Sequence, residues 1–253
     1  MAFTIWRGQK LVMAMFSPLT TPLAGWTGHE AEVASVAWSP LSKTCFASGS
    51  WDATLRVWDP NAAAPILSYT DFKYCVYTAA WAPHSPTLLA GCSGDATLRL
   101  FDTKTPGGAV LTLPAHDFEV LSCDFNKYAE HVMVTGSVDT SIALWDVRAP
   151  RAPTAVLEGH SLAVRRVLFS PFSEHLLASA GYDMAAMVWD LSSVAATGTA
   201  TILQRLEHHS EFVVGLDWSL FLDNVLATAG WDDSLFVFGV GDDPGRVRPA
   251  VPL

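Results

Sequence analysis

Apolar and polar residues alternate in short runs along most of the chain, and Gly, Pro or Asp separates the runs. Three consecutive runs between residues 33 and 59 are "VASVAWSP", "TCFASGS" and "TLRVWD". Alternation with period two is typical of strands with one buried face, and turn residues between the runs favour antiparallel neighbours. The pattern predicts three short antiparallel strands. A fourth strand fits the segment before the next unit begins, such as "APILSY" at 64–69 in one unit and "TAVLEG" at 154–159 in another.

This group of runs recurs five times, and one aspartate marks the turn between the second and third run of each unit. The aspartates are 43, 44, 44 and 49 residues apart: Asp52, Asp95, Asp139, Asp183 and Asp232. A repeat of about 44 residues with four strands per unit is typical of a propeller blade. We therefore predict an all-β fold, a β-propeller with five recognisable blades of four antiparallel strands.

Short motifs at the edges of the units resemble the WD-repeat family. They are two "GH" entrances and three "WD" exits: Gly28-His29, Gly159-His160, Trp58-Asp59, Trp145-Asp146 and Trp189-Asp190. The resemblance covers residues 28–239. Rings of this family usually have seven blades. Five units therefore predict either a small closed ring or an incomplete ring, an open arc whose exposed edges promote association.

His, Ser or Thr, and Trp recur at fixed distances from the turn aspartates, and the combination of His, Ser and Asp is also that of a catalytic triad. An active site needs one nucleophile in one cleft, whereas repeated identical sets are typical of packing. The resemblance to WD-repeat proteins implies a structural hydrogen-bond network, which satisfies the buried aspartates and rigidifies the blades. Its residues would be His29, Ser48, Asp52, Trp58, His116, Thr135, Asp139, Trp145, His160, Ser179, Asp183, Trp189, His209, Thr228 and Asp232. We expect a protein that is not an enzyme.

The net charge limits the classes of binding partner that suit the chain. With 15 basic and 25 acidic residues, the net charge is −10. A nucleic acid would need a basic stripe, so a cationic peptide or protein suits the chain better. Cys45, Cys75, Cys92 and Cys123 form no CxxC pair, which favours a reducing compartment with neither disulfides nor zinc. We expect no metal and no cofactor, and no direct membrane insertion because no apolar run approaches about 20 residues.

Three segments follow from the repeat. Residues 1–27 precede it, residues 28–239 form the propeller with units at about 28–70, 71–114, 115–158, 159–207 and 208–239, and residues 240–253 form a flexible tail. In the WD-repeat family the N-terminus supplies the outer strand of the last blade, which hides an edge. The tail offers no convincing strand, so Phe3 to Trp6 or Lys10 to Phe16 is the candidate closing strand.

A binding face is predicted where the turn into the first strand meets the turn before the third strand. The residues at these positions include five aromatics and two glutamates, a composition typical of interface hot spots. Alternatively, the aromatics pack against neighbouring blades and the glutamates are merely solvated. We favour a groove for an amphipathic helix. Its peptide-binding residues would be Glu32, Trp51, Tyr77, Glu119, Leu121, Arg165, Tyr182, Phe212 and Trp231.

Five longer stretches resemble the receptor for the type 2 peroxisomal targeting signal. They are "SGSWDATLRVWDP", "PAHDFEVLSCDFNKY", "VTGSVDTSIALWDVR", "AVRRVLFSPFSEHLLASAGYD" and "EHHSEFVVGLDWSL". The WD pattern does not require "LSCDFNKY" or "RRVLFSPF", so these carry most of the specificity. The resemblance implies a cytoplasmic receptor, shuttling to the peroxisome, that binds an N-terminal helical signal with a leading Arg on cargo enzymes. It implies a co-receptor and peroxisomal docking proteins as further partners.

The same resemblance implies roles for the residues of the face. Glu32 and Glu119 would meet the basic residue of the signal, and Trp51, Tyr77, Tyr182 and Trp231 its apolar stripe. Arg165 would contact backbone carbonyls or the co-receptor, or is a solvated surface residue. The chain departs from this family at its N-terminus, where the family has two further blades. The competing interpretation is a WD-repeat scaffold of another protein complex.

Overall fold

The computed structural model describes residues 25–105 and 107–241. These ranges contain nineteen strands and one short helix, and the strands form five antiparallel sheets. Each sheet is one blade and follows the order of its strands in the sequence. The predicted all-β propeller with five blades is confirmed.

The strands of blades 1 and 2 are β1 (Val33–Trp38), β2 (Phe46–Ser50), β3 (Leu55–Trp58), β4 (Leu67–Tyr69), β5 (Val76–Trp81), β6 (Leu88–Ser93), β7 (Thr97–Asp102) and β8 (Leu111–Pro114). Those of blade 3 are β9 (Val120–Phe125), β10 (Val132–Ser137), β11 (Ile142–Asp146) and β12 (Ala155–Leu157). Those of blade 4 are β13 (Val164–Phe169), β14 (Leu176–Gly181), β15 (Ala186–Asp190) and β16 (Thr201–Leu206). Those of blade 5 are β17 (Val213–Trp218), β18 (Val225–Gly230) and β19 (Leu235–Gly239).

Blade 5 has three strands within the described part of the chain. The candidate closing segments, Phe3 to Trp6 and Lys10 to Phe16, lie outside the described residues, as does most of the tail. The long interval between the fourth and fifth units holds the helix α1 (Val194–Thr197), which ends at Gly198 in a left-handed conformation with φ 72°. No helix in the described ranges is long and apolar enough to cross a bilayer.

The hydrophobic core lies between the blades. Four clusters of buried side chains each combine residues of one blade with residues of the next, from blade 1 through blade 5. In the cluster between blades 1 and 2, Leu55 and Val57 pack with Val76, Trp81 and Phe101. No cluster of the described residues joins blade 5 to blade 1. The five blades therefore form an open arc rather than a closed ring.

The turn after each recurring aspartate has the same unusual backbone. The following residue has a positive φ in all five blades, although it is never glycine: Ala53, Ala96, Thr140, Met184 and Asp233. A left-handed conformation costs such residues about 1 to 2 kcal/mol. The aspartate offsets this cost by accepting a hydrogen bond two residues on, as Asp139 Oδ1 does from the Ser141 amide at 2.9 Å.

The glycine of each "GH" pair is required by a close approach. A Cβ atom on Gly28 would lie 2.7 Å from the Trp58 ring, and one on Gly159 would lie 2.7 Å from the Trp189 ring. The glycine therefore lets the tryptophan of the "WD" exit pack over the entrance of its own unit.

Candidate functional site

His, Ser or Thr, and Asp form a connected hydrogen-bond network in four of the five blades. In blade 4, His160 Nδ1 lies 2.9 Å from Asp183 Oδ1, and His160 Nε2 lies 2.7 Å from Ser179 Oγ. The Trp189 indole N–H donates to the same Ser179 oxygen at 2.8 Å. Both ring nitrogens of the histidine are thus engaged, and the hydroxyl serves two partners at once.

The other three networks repeat this geometry. The corresponding His, Ser or Thr, and Asp distances lie between 2.6 and 3.0 Å for His29, Ser48 and Asp52, for His116, Thr135 and Asp139, and for His209, Thr228 and Asp232. Trp58 and Trp145 donate to Ser48 and Thr135 as Trp189 does to Ser179. Blade 5 has Phe238 at the tryptophan position, so its network ends at the hydroxyl.

In blades 1 and 3 the electrostatics favour a neutral histidine beside an ionised aspartate, because the pKa values of His29 and His116 and of Asp52 and Asp139 are all lowered. Burial lowers the pKa of His116, while the charge of Asp139 opposes that shift. Burial alone would raise the pKa of Asp183, but its hydrogen bonds from His160 and from backbone amides outweigh burial, so its pKa lies below the usual value. At neutral pH the aspartate accepts from the histidine and from backbone amides.

Blade 2 builds its network differently, because Phe72 occupies the histidine position. The Arg99 guanidinium lies 2.9 Å from Asp95 Oδ2 and 4.7 Å from the centre of the Phe72 ring. Arg99 is 7% exposed, and its Nη1 has no hydrogen-bond partner in the described structure. Arg99 was not among the residues predicted from the sequence. The missing histidine was the signal for it, since a buried aspartate without that histidine needs another hydrogen-bond donor.

The predicted binding face lies along one rim of the arc. In every blade, the residue before the turn aspartate donates its amide proton to a carbonyl at the start of the first strand, at 2.8 to 3.0 Å. The donor and acceptor pairs are Trp51 and Glu32, Gly94 and Cys75, Val138 and Glu119, Tyr182 and Ala163, and Trp231 and Phe212. In each blade this bond holds the turn into the first strand beside the turn before the third strand, where the binding face was predicted.

A β-bulge places the third position of each blade. The register of the first two strands shifts once per blade, so that one residue of the first strand has no partner across the ladder: Ala34, Tyr77, Leu121, Arg165 and Val214. A bulge changes the direction of the side chain that it carries. Tyr77, Leu121 and Arg165 were predicted as binding residues from the sequence, which did not indicate that each is a bulge.

Tyr77 and Glu119 join blades 2 and 3 on this rim. The Tyr77 hydroxyl donates to Glu119 Oε2 at 3.1 Å. Burial, the charge of Glu119 and this hydrogen bond all raise the pKa of Tyr77, so it remains a protonated donor at any physiological pH. Gly94 lies beside both side chains, and a Cβ atom there would stand 3.6 Å from Glu119 Oε1. The pair presents a fixed, exposed carboxylate beside an aromatic ring.

Three aromatic side chains form a cluster on the same rim at blades 4 and 5. The ring centres of Tyr182 and Phe212 are 4.8 Å apart, and those of Phe212 and Trp231 are 5.2 Å apart. Tyr182 and Phe212 are partly buried, whereas Trp231 is 63% exposed. Two rings therefore support a third that faces solvent, as aromatic anchors at interfaces do.

The remaining predicted residues differ in what they present. Glu32 and Trp51 lie together on blade 1, where Trp51 is half exposed and the Ser50 hydroxyl donates to the Glu32 carbonyl. Leu121 is 5% exposed and therefore offers little surface to a partner. Arg165 is partly buried at its bulge. The rim thus combines the Tyr77 and Glu119 pair, the aromatic cluster of blades 4 and 5, and the exposed Trp51 on blade 1.

No group of three or more His, Cys, Asp or Glu side chains that could hold a metal ion occurs within residues 25–105 and 107–241. The four cysteines are free thiols.

Comparison with known proteins identifies the family of this propeller. A family model described as EIPR1 beta-propeller matches residues 61–189, about half of the chain, and one described as WD domain, G-beta repeat matches residues 20–59. Peroxisome biogenesis protein 7 of Arabidopsis thaliana is 40% identical over 43 residues, which are 17% of this chain and 14% of that protein. The matches confirm a WD-repeat propeller. They support the resemblance to the peroxisomal receptor over one short segment.

Proposed function

Since the chain belongs to the EIPR1 beta-propeller family of WD-repeat proteins, we propose that it is a protein-binding propeller that recognises a basic amphipathic helix on its rim. One observation carries this proposal, the Glu119 carboxylate held by Tyr77 on the rim that also bears the aromatic cluster. A helix with Arg on one side and apolar residues on the other matches both features. The net charge of −10 favours the approach of such a partner.

The finer proposal is that this helix is the type 2 peroxisomal targeting signal at the N-terminus of cargo enzymes. The five stretches that resemble its receptor and the similarity to the Arabidopsis protein support it. In this proposal the protein works in the cytoplasm with a co-receptor and delivers cargo to docking proteins at the peroxisome. Arg165, at the bulge of blade 4, would then face the co-receptor or the helix backbone.

The proposed role is binding rather than catalysis. The His, Ser or Thr, and Asp groups recur in four blades, and each histidine already uses both ring nitrogens within its network. A nucleophile activated by a histidine would instead occur once, in an open cleft.

Fluorescence anisotropy of a labelled type 2 signal helix tests the proposal, beside a copy in which its Arg is changed to Glu. Glu119→Gln should weaken binding of the Arg helix about tenfold, or about 1.4 kcal/mol, because it removes a charged partner of the guanidinium. Glu130→Gln is the matched control, since Glu130 is exposed in the loop at the other end of blade 3. Equal affinity of the two helices would refute recognition through the carboxylate.

A second pair of variants tests the aromatic cluster. Trp231→Ala should weaken the Arg helix by a further factor of about ten, because it removes the exposed ring of the cluster. Phe221→Ala is its control, since Phe221 is 93% exposed in the loop at the other end of blade 5. If neither helix binds, affinity purification from cytosol decides the outcome: a stable partner other than peroxisomal enzymes would favour the scaffold function instead.

A further inference from the structure

The two ends of the arc expose apolar sheet faces whose equivalents are buried in the other described blades. On β1 of blade 1, Val36 is 46% and Trp38 is 43% exposed, and these residues define the leading face. On β19 of blade 5, Leu235 is 68% and Val237 is 52% exposed, and these define the trailing face.

The equivalent residues of the other blades are at most 6% exposed. Those equivalent to the leading face are Ala79 and Trp81, Cys123 and Phe125, Val167 and Phe169, and Leu216 and Trp218. Those equivalent to the trailing face are Leu55 and Val57, Leu98 and Leu100, Ile142 and Leu144, and Ala186 and Val188. Each internal interface packs one trailing pair on one leading pair. The exposed pairs therefore have the residue types of an interface that lacks its other half.

Trp38 also lacks the hydrogen bond that equivalent tryptophans make. The indole N–H of Trp81 donates to the Ala37 carbonyl of blade 1 at 3.1 Å, and that of Trp218 donates to the Leu168 carbonyl of blade 4 at 3.2 Å. Both acceptors directly precede the last residue of the first strand in the preceding blade. Within the described ranges the Trp38 indole makes no such bond, and the equivalent carbonyl after blade 5 is that of Asp217.

Asp217, at the other end of the arc, has a carboxylate oxygen that could accept a hydrogen bond from the Trp38 amide. Its counterpart in blade 3, Asp124, accepts its neighbour's amide on Oδ1 at 2.9 Å and the Phe169 amide of the following blade on Oδ2 at 2.9 Å. Asp217 Oδ1 accepts the Trp218 amide at 3.0 Å in the same way, while its Oδ2 has no hydrogen bond to any described residue. The position equivalent to Phe169 in blade 1 is Trp38. The trailing end thus offers an acceptor for the amide of Trp38 as well as for its indole.

We propose that the leading face of one copy of this chain packs on the trailing face of a second copy, so that the chain associates head to tail. The contact would repeat the packing between neighbouring blades, with Val36 and Trp38 on Leu235 and Val237 and with Asp217 accepting from Trp38. The two faces differ from one another, so the contact is heterologous and each copy retains one free face of each kind. This proposal is independent of the rim and of the peptide proposed for it.

Light scattering coupled to size exclusion tests the proposal on the full chain, with sedimentation equilibrium across the micromolar range. The mass of the wild type should rise with concentration above the 27.3 kDa of one chain. Trp38→Glu and Val237→Glu should each give monomers, because each places a charge in one half of the contact. Val156→Glu is the control, since Val156 is 49% exposed on the outer strand of blade 3 and lies on neither face.

Mixing the two variants distinguishes this contact from any other. Trp38→Glu keeps an intact trailing face and Val237→Glu an intact leading face, so an equimolar mixture should form a 1:1 dimer that grows no further. Far-UV circular dichroism of each variant establishes that it is folded. A wild type that stays monomeric, through ring closure or cover from another part of its own chain, would overturn the proposal, as would a mixture that remains monomeric while the wild type associates.

Discussion

Replacing Asp183 with alanine should destabilise the propeller by about 3 kcal/mol, because it leaves a buried histidine donor without an acceptor. Asp183 and His160 are among the most completely enclosed pairs of the molecule, with side chains 2% and 0% exposed. His160 Nε2 remains bonded to Ser179, so the orphaned atom after the substitution is Nδ1.

The magnitude follows from what the carboxylate holds. The unpaired donor on buried His160 costs about 1 to 3 kcal/mol. The carboxylate also accepts the Ser161 amide at 3.1 Å, but Ser161 is exposed and water can replace that bond at little cost. Loss of the acceptor beside Met184, which has a φ of 63°, leaves a left-handed residue less well supported, at about 1 kcal/mol. The sum is about 3 kcal/mol.

Urea unfolding followed by tryptophan fluorescence and by circular dichroism measures this loss. The control is Asp190→Ala, because Asp190 accepts the Ser192 amide at 2.8 Å in an exposed turn and should cost about 0.5 kcal/mol. Asp139→Ala should resemble Asp183→Ala, since blade 3 has the same network. Equal losses for Asp183→Ala and Asp190→Ala would refute the reasoning, and turnover of a substrate abolished by one of the network variants alone would favour a catalytic role.

Three further predictions follow from individual contacts. Trp145→Phe should cost about 1 kcal/mol in urea unfolding, because it removes the buried bond from the indole to Thr135 at 2.9 Å; no loss would contradict the role of that bond. Thr140→Gly should raise the melting temperature, with a gain of about 0.5 to 1 kcal/mol, because glycine adopts φ 74° without strain; a lower melting temperature would contradict it. Burial lowers the pKa of His29 and His116 below the usual histidine value of 6.5, so near and below that pH the unfolded chain binds more protons than the folded protein. Stability should be fully present above pH 6.5 and fall in urea titrations as the pH drops through it, whereas a rise would contradict the lowered pKa values.

The repeat and its networks could be derived from the sequence because their determinants are local and recur. Alternation of period two marks the strands within a few residues, and five aspartates at near-constant spacing mark the turns. His160 and Asp183 lie 23 residues apart, but the same spacing in four units made their pairing visible without coordinates. For a site that occurs only once, a contact between residues this far apart in the sequence could be found only from the structure.

Only the tertiary structure identified the partner of Asp95 in blade 2, where the usual histidine is absent. Phe72 in place of a histidine left Asp95 without an expected partner, and the sequence did not identify Arg99 as the substitute. The arginine at the equivalent position in blade 1, Arg56, hydrogen-bonds to the Gly28 carbonyl and lies 3.9 Å from Asp52, which His29 already contacts at 2.8 Å. Residue type alone therefore did not reveal the role of Arg99. Which cation neutralises a buried carboxylate depends on the direction of the side chain and on its neighbours.

On the rim, too, the sequence indicated the positions, and the structure decided what each side chain contacts. The sequence selected Tyr77 and Leu121 as equivalent positions, and both are bulge residues of their blades. Tyr77 reaches across to Glu119 on the next blade, whereas Leu121 is buried. The bulge is a property of the paired strands, and side-chain exposure is a property of the packed blades, so neither follows from periodicity.

Trp38, Trp81 and Trp218 occupy the same position in three units and end the same kind of strand. The sequence by itself determined that each points its ring to the apolar side of its sheet, because alternation along a strand assigns side chains to faces. Only the tertiary structure decided that Trp81 and Trp218 are buried and hydrogen-bonded while Trp38 is exposed. Burial and hydrogen bonding require a second surface within contact distance, and in the described arc a preceding blade lies against Trp81 and Trp218 but not against Trp38.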